Sequence, residues 1–275
     1  MTLSYEKIEH CPGCRSRTRS LWTGNGNAPR AFRCKKCSLV YLGQRITDES
    51  SQEYYANYNA KRDSVKINLA RKRKRMYEID RNYVRLFLKK GKLLDVGSGP
   101  GSFLSGLPSV FERYAFDVDS SAIEVGKKLC PSIHFSSDLD KSMRRGPFDG
   151  IIFRGTLEYQ RDLREVAKLC GANLRRGGYI ILLSTTNSDS PLAELTREEW
   201  GLFQPIEHLC YFNLQSAKQL FRGMKLEHFG FPYIGTPYED QQVDLRKFLD
   251  VCRGKRTEGR FPFWGSIMTC AFRKA

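Results

Sequence analysis

The feature that most constrains the fold is a short apolar segment that runs directly into a turn rich in glycine. Leu93, Leu94 and Val96 have the character of a β-strand. The glycines that follow on alternate positions are Gly97, Gly99 and Gly101. A strand that enters such a turn before a helix makes a cradle for a nucleotide-like ligand, because glycine permits positive φ and the helix presents unpaired N–H groups. Similar turns also follow strands in α/β proteins that bind no ligand.

Acidic residues mark the ends of the first two predicted strands. Asp95 precedes the glycine turn, and Asp117 follows the apolar segment 114–116, twenty positions after Gly97. A carboxylate at the end of the second strand, about 20 residues after the first glycine, commonly binds a ribose diol. Asp119 is two positions further on, and we predict that it caps the next helix rather than binding a ribose.

Strand and helix patterns alternate through the rest of the chain. Apolar strand segments are predicted at 133–135, 148–153 and 179–183, with an amphipathic helix at 163–174 and a closing strand at 261–272. This alternation predicts an α/β fold with a doubly wound, mostly parallel sheet whose ligand site lies at the carboxyl ends of the strands.

Two C-x-x-C pairs near the N-terminus predict a zinc site. They are separated by nineteen residues, and the four ligands would be Cys11, Cys14, Cys34 and Cys37. Each pair places two thiolates on one tight turn, and four sulfurs complete a tetrahedral zinc site. Because four protein ligands leave no open position, this zinc would be structural and not catalytic.

The charge of the chain predicts an anionic partner. Its 46 basic and 30 acidic residues give a net charge of +16. This charge attracts nucleic acid, acidic lipid or phosphorylated small molecules without distinguishing among them. The cations include a run at 71–75 in a predicted basic helix, whose buried face would carry Met76, Ile79, Tyr83 and Leu86.

The chain carries no pattern of a membrane span or of a signal peptide. Nine cysteines in a chain without an export signal favour reduced thiols and metal binding over disulfides. We therefore predict a cytoplasmic protein.

Several motifs together resemble class I S-adenosylmethionine-dependent methyltransferases of the group that carries an N-terminal zinc-ribbon segment. They are the D-x-G-x-G-x-G pattern from Asp95, the FDGII…LEY stretch from Phe148 to Tyr159, the Arg176-Gly177-Gly178 turn, and the PIEHLCYF stretch from Pro205 to Phe212. The resemblance implies a Rossmann-like sheet of seven strands whose last strand is antiparallel and inserted before the sixth.

The resemblance also implies which residues bind the cofactor. Asp117 would bind the ribose, Asp138 would accept from the adenine amino group with Asp140 as the alternative, and the end of the fourth strand would lie near the transferred methyl group. The implied cofactor-binding residues are Asp95, Gly97, Ser98, Gly99, Gly101, Asp117, Val118, Asp138, Leu139 and Arg154.

Two residues are candidates for catalysis. His208 lies in a P-x-x-H-L-x-x-F stretch that recurs in these methyltransferases, and a histidine is suited to take a proton from the acceptor as the methyl group moves. A structural role, with the ring bonded to a strand end, is the alternative for His208. Tyr159 replaces the usual histidine after the fourth strand, and a phenol is a poor base at neutral pH.

We therefore predict a zinc ribbon and connector at 1–60, a basic helical cap at 61–90, and a catalytic domain at 91–275. The predicted enzyme would methylate a small anionic or phosphorylated acceptor, such as a sugar- or nucleotide-linked metabolite. One alternative is an RNA methyltransferase that uses the basic ribbon and helix, and another is a cofactor-binding partner protein without catalysis.

Overall fold

The protein is described here by a computed structural model that covers residues 3–24, 29–51, 54, 74–232, 241–255 and 265–275. Positions 71–73 of the basic run, residues 61–73 of the predicted cap and residues 261–264 of the predicted closing strand lie outside the described residues. The described residues include no helix that is both long enough and apolar enough to cross a membrane.

The helices and strands follow the alternation expected from the sequence. The strands are β1 (Tyr5–Lys7), β2 (Arg19–Thr23), β3 (Ala31–Cys34), β4 (Val40–Leu42), β5 (Gln44–Ile46), β6 (Gly91–Val96), β7 (Phe111–Phe116), β8 (Ile133–Ser136), β9 (Phe148–Arg154), β10 (Leu174–Thr186), β11 (Cys210–Tyr211), β12 (Met224–Gly230) and β13 (Ile267–Lys274). The helices are α1 (74–87), α2 (Ser120–Leu129), α3 (Leu139–Met143), α4 (Leu163–Asn173), α5 (Pro191–Thr196), α6 (Leu214–Leu220) and α7 (Gln241–Cys252).

A seven-stranded sheet forms the centre of the predicted catalytic part. Its strand order is β12-β13-β10-β9-β6-β7-β8. The pairs β6–β7, β7–β8, β6–β9 and β9–β10 are parallel, whereas β13 runs antiparallel to β12. The predicted Rossmann-like sheet is confirmed, including the insertion of the last strand between the fifth and sixth strands of this sheet. Because β6, β7, β8 and β9 are mutually parallel, their carboxyl ends lie on one edge.

The contacts divide the chain into two compact units. The first contains Met1–Met76, Thr186–Ser216 and Tyr233–Ile267, and the second contains Tyr77–Thr185, Ala217–Pro232 and Met268–Ala275. In the first unit, β11 extends the sheet β2-β3-β4 at its β4 edge, and β1 pairs with β5. Residues far apart in sequence therefore build one small sheet around the cysteine pairs.

Each unit has its own apolar core. In the second unit, residues such as Leu93, Ile152 and Ile181 from the central strands are fully buried. In the first unit, an aromatic cluster is built around Trp22, Trp200 and Tyr211. Burial of these apolar side chains is the main favourable contribution to the stability of each unit.

The buried face of α1 and the end of α4 differ from the sequence predictions. Leu86 is 66% exposed, whereas Asp80, Tyr83 and Val84 are buried. The buried face of α1 therefore includes Asp80 in place of the predicted Ile79, one position earlier. Leu86, which was also predicted to be buried, is exposed to solvent. At the end of α4, Leu174 already belongs to β10, because it pairs with Phe148.

Candidate functional site

The turn after β6 holds three glycines in the left-handed region. Gly97, Gly99 and Gly101 have φ values of 84°, 55° and 77°. A Cβ at Gly97 would lie 2.5 Å from Thr156, and one at Gly101 would lie 2.8 Å from Phe135, so packing alone requires glycine at both positions. A Cβ at Gly99 would meet nothing within 4 Å. Gly99 is therefore the glycine that borders open space, where a ligand could approach the backbone.

Asp117 joins the end of β7 to this turn. Its Oδ2 accepts a hydrogen bond from the Gly99 backbone N–H at 2.7 Å, and its Oδ1 accepts from the Asp119 N–H at 2.9 Å. Burial raises the pKa of Asp117, although these backbone hydrogen bonds favour the charged form. Asp119 accepts from the N–H groups of Ser121 and Ala122, which confirms the prediction that it caps α2.

Two buried polar atoms at the same edge of the sheet have no partner within the described part of the chain. They are Oδ1 of Asp95, at the end of β6, and Nη2 of Arg154, at the end of β9. Burial raises the pKa of Asp95 to about 7, an effect that the Arg154 charge opposes. Unpaired buried polar atoms are costly, so this carboxylate oxygen and this guanidinium N–H group could pair with a ligand that carries groups of both charges.

The orientation of Arg154 depends on α1. Its Nε donates to Oδ2 of Asp80 at 2.8 Å, and its guanidinium lies 4.4 Å from the centre of the Tyr77 ring. Ser184 also donates to this Asp80 oxygen, at 3.4 Å. The sequence analysis missed Asp80. The available signal was an acidic residue between Met76 and Tyr83 on the apolar face of α1, where a charge requires a partner.

The remaining predicted cofactor residues lie on neighbouring loops of the second unit. Asp138 caps α3, because its Oδ1 accepts from the Lys141 N–H at 2.9 Å, and Leu139 is half-buried beside it. Val118 is 78% exposed, and Ser98 is half-buried in the glycine turn. All of these residues follow β6, β7 or β8, so the structure brings them to the edge of the sheet where those strands end.

The two predicted catalytic residues belong to different compact units. Tyr159 is half-buried in the second unit and ends a short 3-10 turn after β9. His208 belongs to the first unit and is 8% exposed. Its Nδ1 lies 3.0 Å from the Leu202 carbonyl oxygen, and its ring packs edge-to-face on Tyr211 with the ring centres 5.8 Å apart. These contacts orient the imidazole within the first unit.

The four predicted metal ligands form one cluster in the first unit. The sulfur atoms of Cys11, Cys14, Cys34 and Cys37 all lie within 4.8 Å of one another. Such a cluster fits a tetrahedral metal ion, and softer sulfur ligands favour zinc or iron over magnesium and calcium. The hydrogen bond from Cys11 and burial both raise the pKa of the Cys37 thiol.

The turns that carry these cysteines have matching backbone geometry. Arg15 donates its N–H to the Cys11 carbonyl at 2.8 Å, and Ser38 donates to the Cys34 carbonyl at 2.9 Å. Both residues have positive φ, 62° for Arg15 and 63° for Ser38. Each turn therefore curls its backbone around its own pair of sulfurs, and we call these turns the first and second cysteine turns.

Some cations of the cysteine-rich segment are already engaged within the first unit. Arg33 forms ion pairs with Asp189 and Glu194. Arg19 donates to the Ile8 carbonyl oxygen at 2.8 Å and lies 3.9 Å from the centre of the Phe32 ring. The charge of Arg33 is therefore balanced within the first unit, and the guanidinium of Arg19 is held by neutral partners of the same unit.

A family model described as a methyltransferase domain matches residues 70–228, which is more than half of the 275 residues. The comparison with curated proteins gives no match.

Several solved structures are similar at low sequence identity. An S-adenosylmethionine-dependent methyltransferase from Thermotoga maritima, a possible histamine N-methyltransferase, has 16% identity and a TM-score of 0.55 over 82% of this chain and 99% of that chain. An O-methyltransferase family protein from Burkholderia thailandensis has 15% identity and a TM-score of 0.55 over 82% of this chain. TehB from Haemophilus influenzae has 15% identity and a TM-score of 0.46 over 71% of this chain. This chain spans 63% of the Burkholderia protein and 62% of TehB, less than two thirds of each.

Proposed function

This chain belongs to the methyltransferase domain family, and from that premise we propose that it transfers a methyl group from S-adenosylmethionine to a small anionic acceptor. The open space beside Gly99, next to the Asp117 carboxylate, is the observation that carries the cofactor assignment. The matching family model describes a methyltransferase domain, so we do not adopt the alternative of a binding protein without catalysis.

The residues at the edge of the second unit's sheet fit the parts of this cofactor. Asp117 offers a carboxylate to the ribose hydroxyls, and such charge-assisted bonds are short and strong. The unpaired oxygen of Asp95 and the unpaired N–H group of Arg154 match the ammonium and carboxylate of the amino-acid part. Asp138 and Leu139 would contact the adenine, with Gly97, Ser98, Gly101 and Val118 shaping the backbone around it. When bound, the cofactor supplies an electrophilic methyl group on a positively charged sulfur.

We propose that His208 is the base that takes the proton released by the acceptor. The Leu202 carbonyl oxygen, 3.0 Å from Nδ1, holds the imidazole in one orientation, and histidine is the side chain best suited to proton transfer near neutral pH. Tyr159 would orient the acceptor, because a phenol is a poor base at neutral pH. The chain's other contribution is to hold the reactants aligned, which accounts for much of the acceleration in transfers of this kind.

We assign zinc to the four cysteines, as a structural ion. The set offers only sulfur ligands and a closed coordination sphere. Such a site stabilises the fold around it and adds no step to the chemistry.

The charge of +16 supports an anionic acceptor, and two observations favour a small one over RNA. The sequence at the end of β9, from Arg154 to Leu157, lacks the N-P-P-Y type of motif that binds a flipped base. Arg33 and Arg19 are engaged inside the first unit. Binding to RNA would fall steeply with salt concentration, which separates the two kinds of acceptor.

Calorimetric titration with S-adenosylmethionine tests the cofactor assignment. Asp117→Asn and Asp119→Asn remove the same charge two positions apart, and asparagine at 119 still caps α2. We expect Asp117→Asn to weaken binding about tenfold to hundredfold and Asp119→Asn to leave it near the wild-type value. A folded, zinc-loaded protein that binds no S-adenosylmethionine would refute the proposal.

A screen of phosphorylated metabolites for methyl transfer would then test the acceptor class. His208→Asn should lower kcat by about a hundredfold or more without changing cofactor affinity. Methylation of RNA but of no small molecule would contradict the proposal of a small anionic acceptor.

A further inference from the structure

The residues that follow His208 are attached to the sheet of the cysteine cluster. The Leu42 N–H donates to the Leu209 carbonyl oxygen at 3.2 Å, and the next two residues form β11. Cys210 of β11 pairs with Tyr41, and Tyr211 pairs with Val40. Strand β4, which supplies these partners, begins three residues after the last cysteine of the cluster. We call residues 208–213 the anchoring segment.

The other end of the anchoring segment contacts the second cysteine turn directly. Asn213 is fully buried, and its Nδ2 donates to the Ser38 carbonyl oxygen at 3.1 Å and to Oδ1 of Asp189 at 3.0 Å. Ser38 is the residue with positive φ that closes the turn on the Cys34 carbonyl. The Oδ1 of Asn213 accepts from the Ser216 N–H at 2.8 Å. One amide thus ties the cysteine turn to the chain five residues after His208.

We propose that the cysteine cluster positions His208 through the anchoring segment, and that Asn213 is the positioning residue that connects them. The inference rests on the proposed function, in which His208 takes the acceptor's proton. A metal ion holds the second cysteine turn closed, because its cysteines must converge on one centre. The closed turn presents the Ser38 carbonyl to Asn213, and the β4–β11 pairing fixes the chain between Asn213 and His208. The imidazole then keeps its contacts with the Leu202 carbonyl and the Tyr211 ring.

Asn213→Asp separates this connection from the ordinary structural role of Asn213. The new carboxylate keeps the Oδ1 acceptor for the Ser216 N–H, so the start of α6 is preserved. It replaces the Nδ2 donor with an oxygen that faces the Ser38 carbonyl and the Asp189 carboxylate, so both of those hydrogen bonds are lost. Gln215→Ala is the matched control, because it removes only the exposed 3.0 Å hydrogen bond from the Ser38 hydroxyl.

Histidine-selective ¹⁵N NMR of the full-length, zinc-loaded protein reads the position of His208 directly. The chain has only four histidines, and His134 and His228 belong to the second unit, so they serve as internal references. In Asn213→Asp we expect shifted ring signals for His208 and unchanged signals for both references. We expect kcat to fall about tenfold while the Kd for S-adenosylmethionine stays at the wild-type value. Gln215→Ala should match the wild type in every measurement.

Removal of zinc from the wild-type protein by a chelator is the second measurement, and it should shift the His208 signals without moving those of His134 and His228. If Asn213→Asp does not fold, zinc removal alone tests whether the cysteine cluster positions His208. Unchanged His208 signals in the folded Asn213→Asp protein, or after zinc removal, would overturn the positioning role. The proposed function would then still be supported by cofactor binding and by a lower kcat in His208→Asn. Conversely, if His208→Asn is fully active while Asn213→Asp shifts the His208 signals, the role of His208 as the base is refuted and the positioning role of Asn213 is kept.

Discussion

Gly99→Ala should separate a glycine needed for cofactor binding from glycines needed only for folding. Gly99 has a φ of 55°, and a Cβ there would meet no atom of the protein within 4 Å. Gly254, in the first unit, matches it with a φ of 72° and the same open space. Gly254→Ala is therefore a control with a similar backbone strain and no neighbouring glycine turn.

The two substitutions should cost similar stability and differ in cofactor affinity. Placing an L residue in the left-handed region costs about 1–2 kcal/mol, which lowers Tm by a few degrees in a chain of this size. At Gly99 the added methyl also enters the space proposed for the cofactor. Overpacking of this kind costs about 1–3 kcal/mol, and about 1.4 kcal/mol corresponds to a tenfold weaker Kd.

Thermal unfolding and calorimetric titration with S-adenosylmethionine measure the two effects separately. We expect a comparable fall in Tm for both variants, with Kd raised tenfold or more in Gly99→Ala alone. The backbone N–H that bonds Asp117 is kept in Gly99→Ala, so a loss of affinity would not come from that contact. Binding by Gly99→Ala within about twofold of the wild type would refute the cradle assignment.

Three further predictions concern charges and thiols. Burial raises the pKa of Asp95 to about 7, above its value in the unfolded chain. The unliganded folded protein therefore loses stability as pH rises through 7, because folding no longer keeps this proton bound. Its Tm should fall from pH 5 to 8 relative to Asp95→Asn. A bound ammonium group favours the carboxylate, so S-adenosylmethionine affinity should rise over the same range, and a flat profile would contradict this. Asp80→Asn leaves Arg154 without its charged partner and should cost about 3–5 kcal/mol in the free energy of unfolding, as measured by urea titration, whereas a loss below about 1 kcal/mol would show that the pair is dispensable. Cys14→Ser should reduce the zinc content from about one ion per chain to a small fraction in elemental analysis, whereas Cys130→Ser, outside the cluster, should retain it.

Local patterns were sufficient to predict the sheet and to name candidate site residues that lie at one edge of it. Strand and helix periodicity, with glycines between them, predicted the parallel strands, because burial on two faces leaves continuous apolar runs in the sequence. The antiparallel direction of the closing strand was implied only by the family resemblance. The cysteine cluster was predicted for a similar reason, since each C-x-x-C turn brings its own two sulfurs together. The Asp119 cap could be predicted because it depends only on residues within three positions.

The tertiary structure decided what depends on residues distant in sequence. Asp80 is a partner of Arg154 only because α1 packs so that it faces the end of β9, and no local pattern specifies that approach. The three glycines look alike in sequence, but their neighbours on other strands show that only Gly99 borders open space. The pairing of β11 with β4, which joins residues about 170 positions apart, likewise forms through long-range contacts, because strand pairing depends on register and burial in three dimensions.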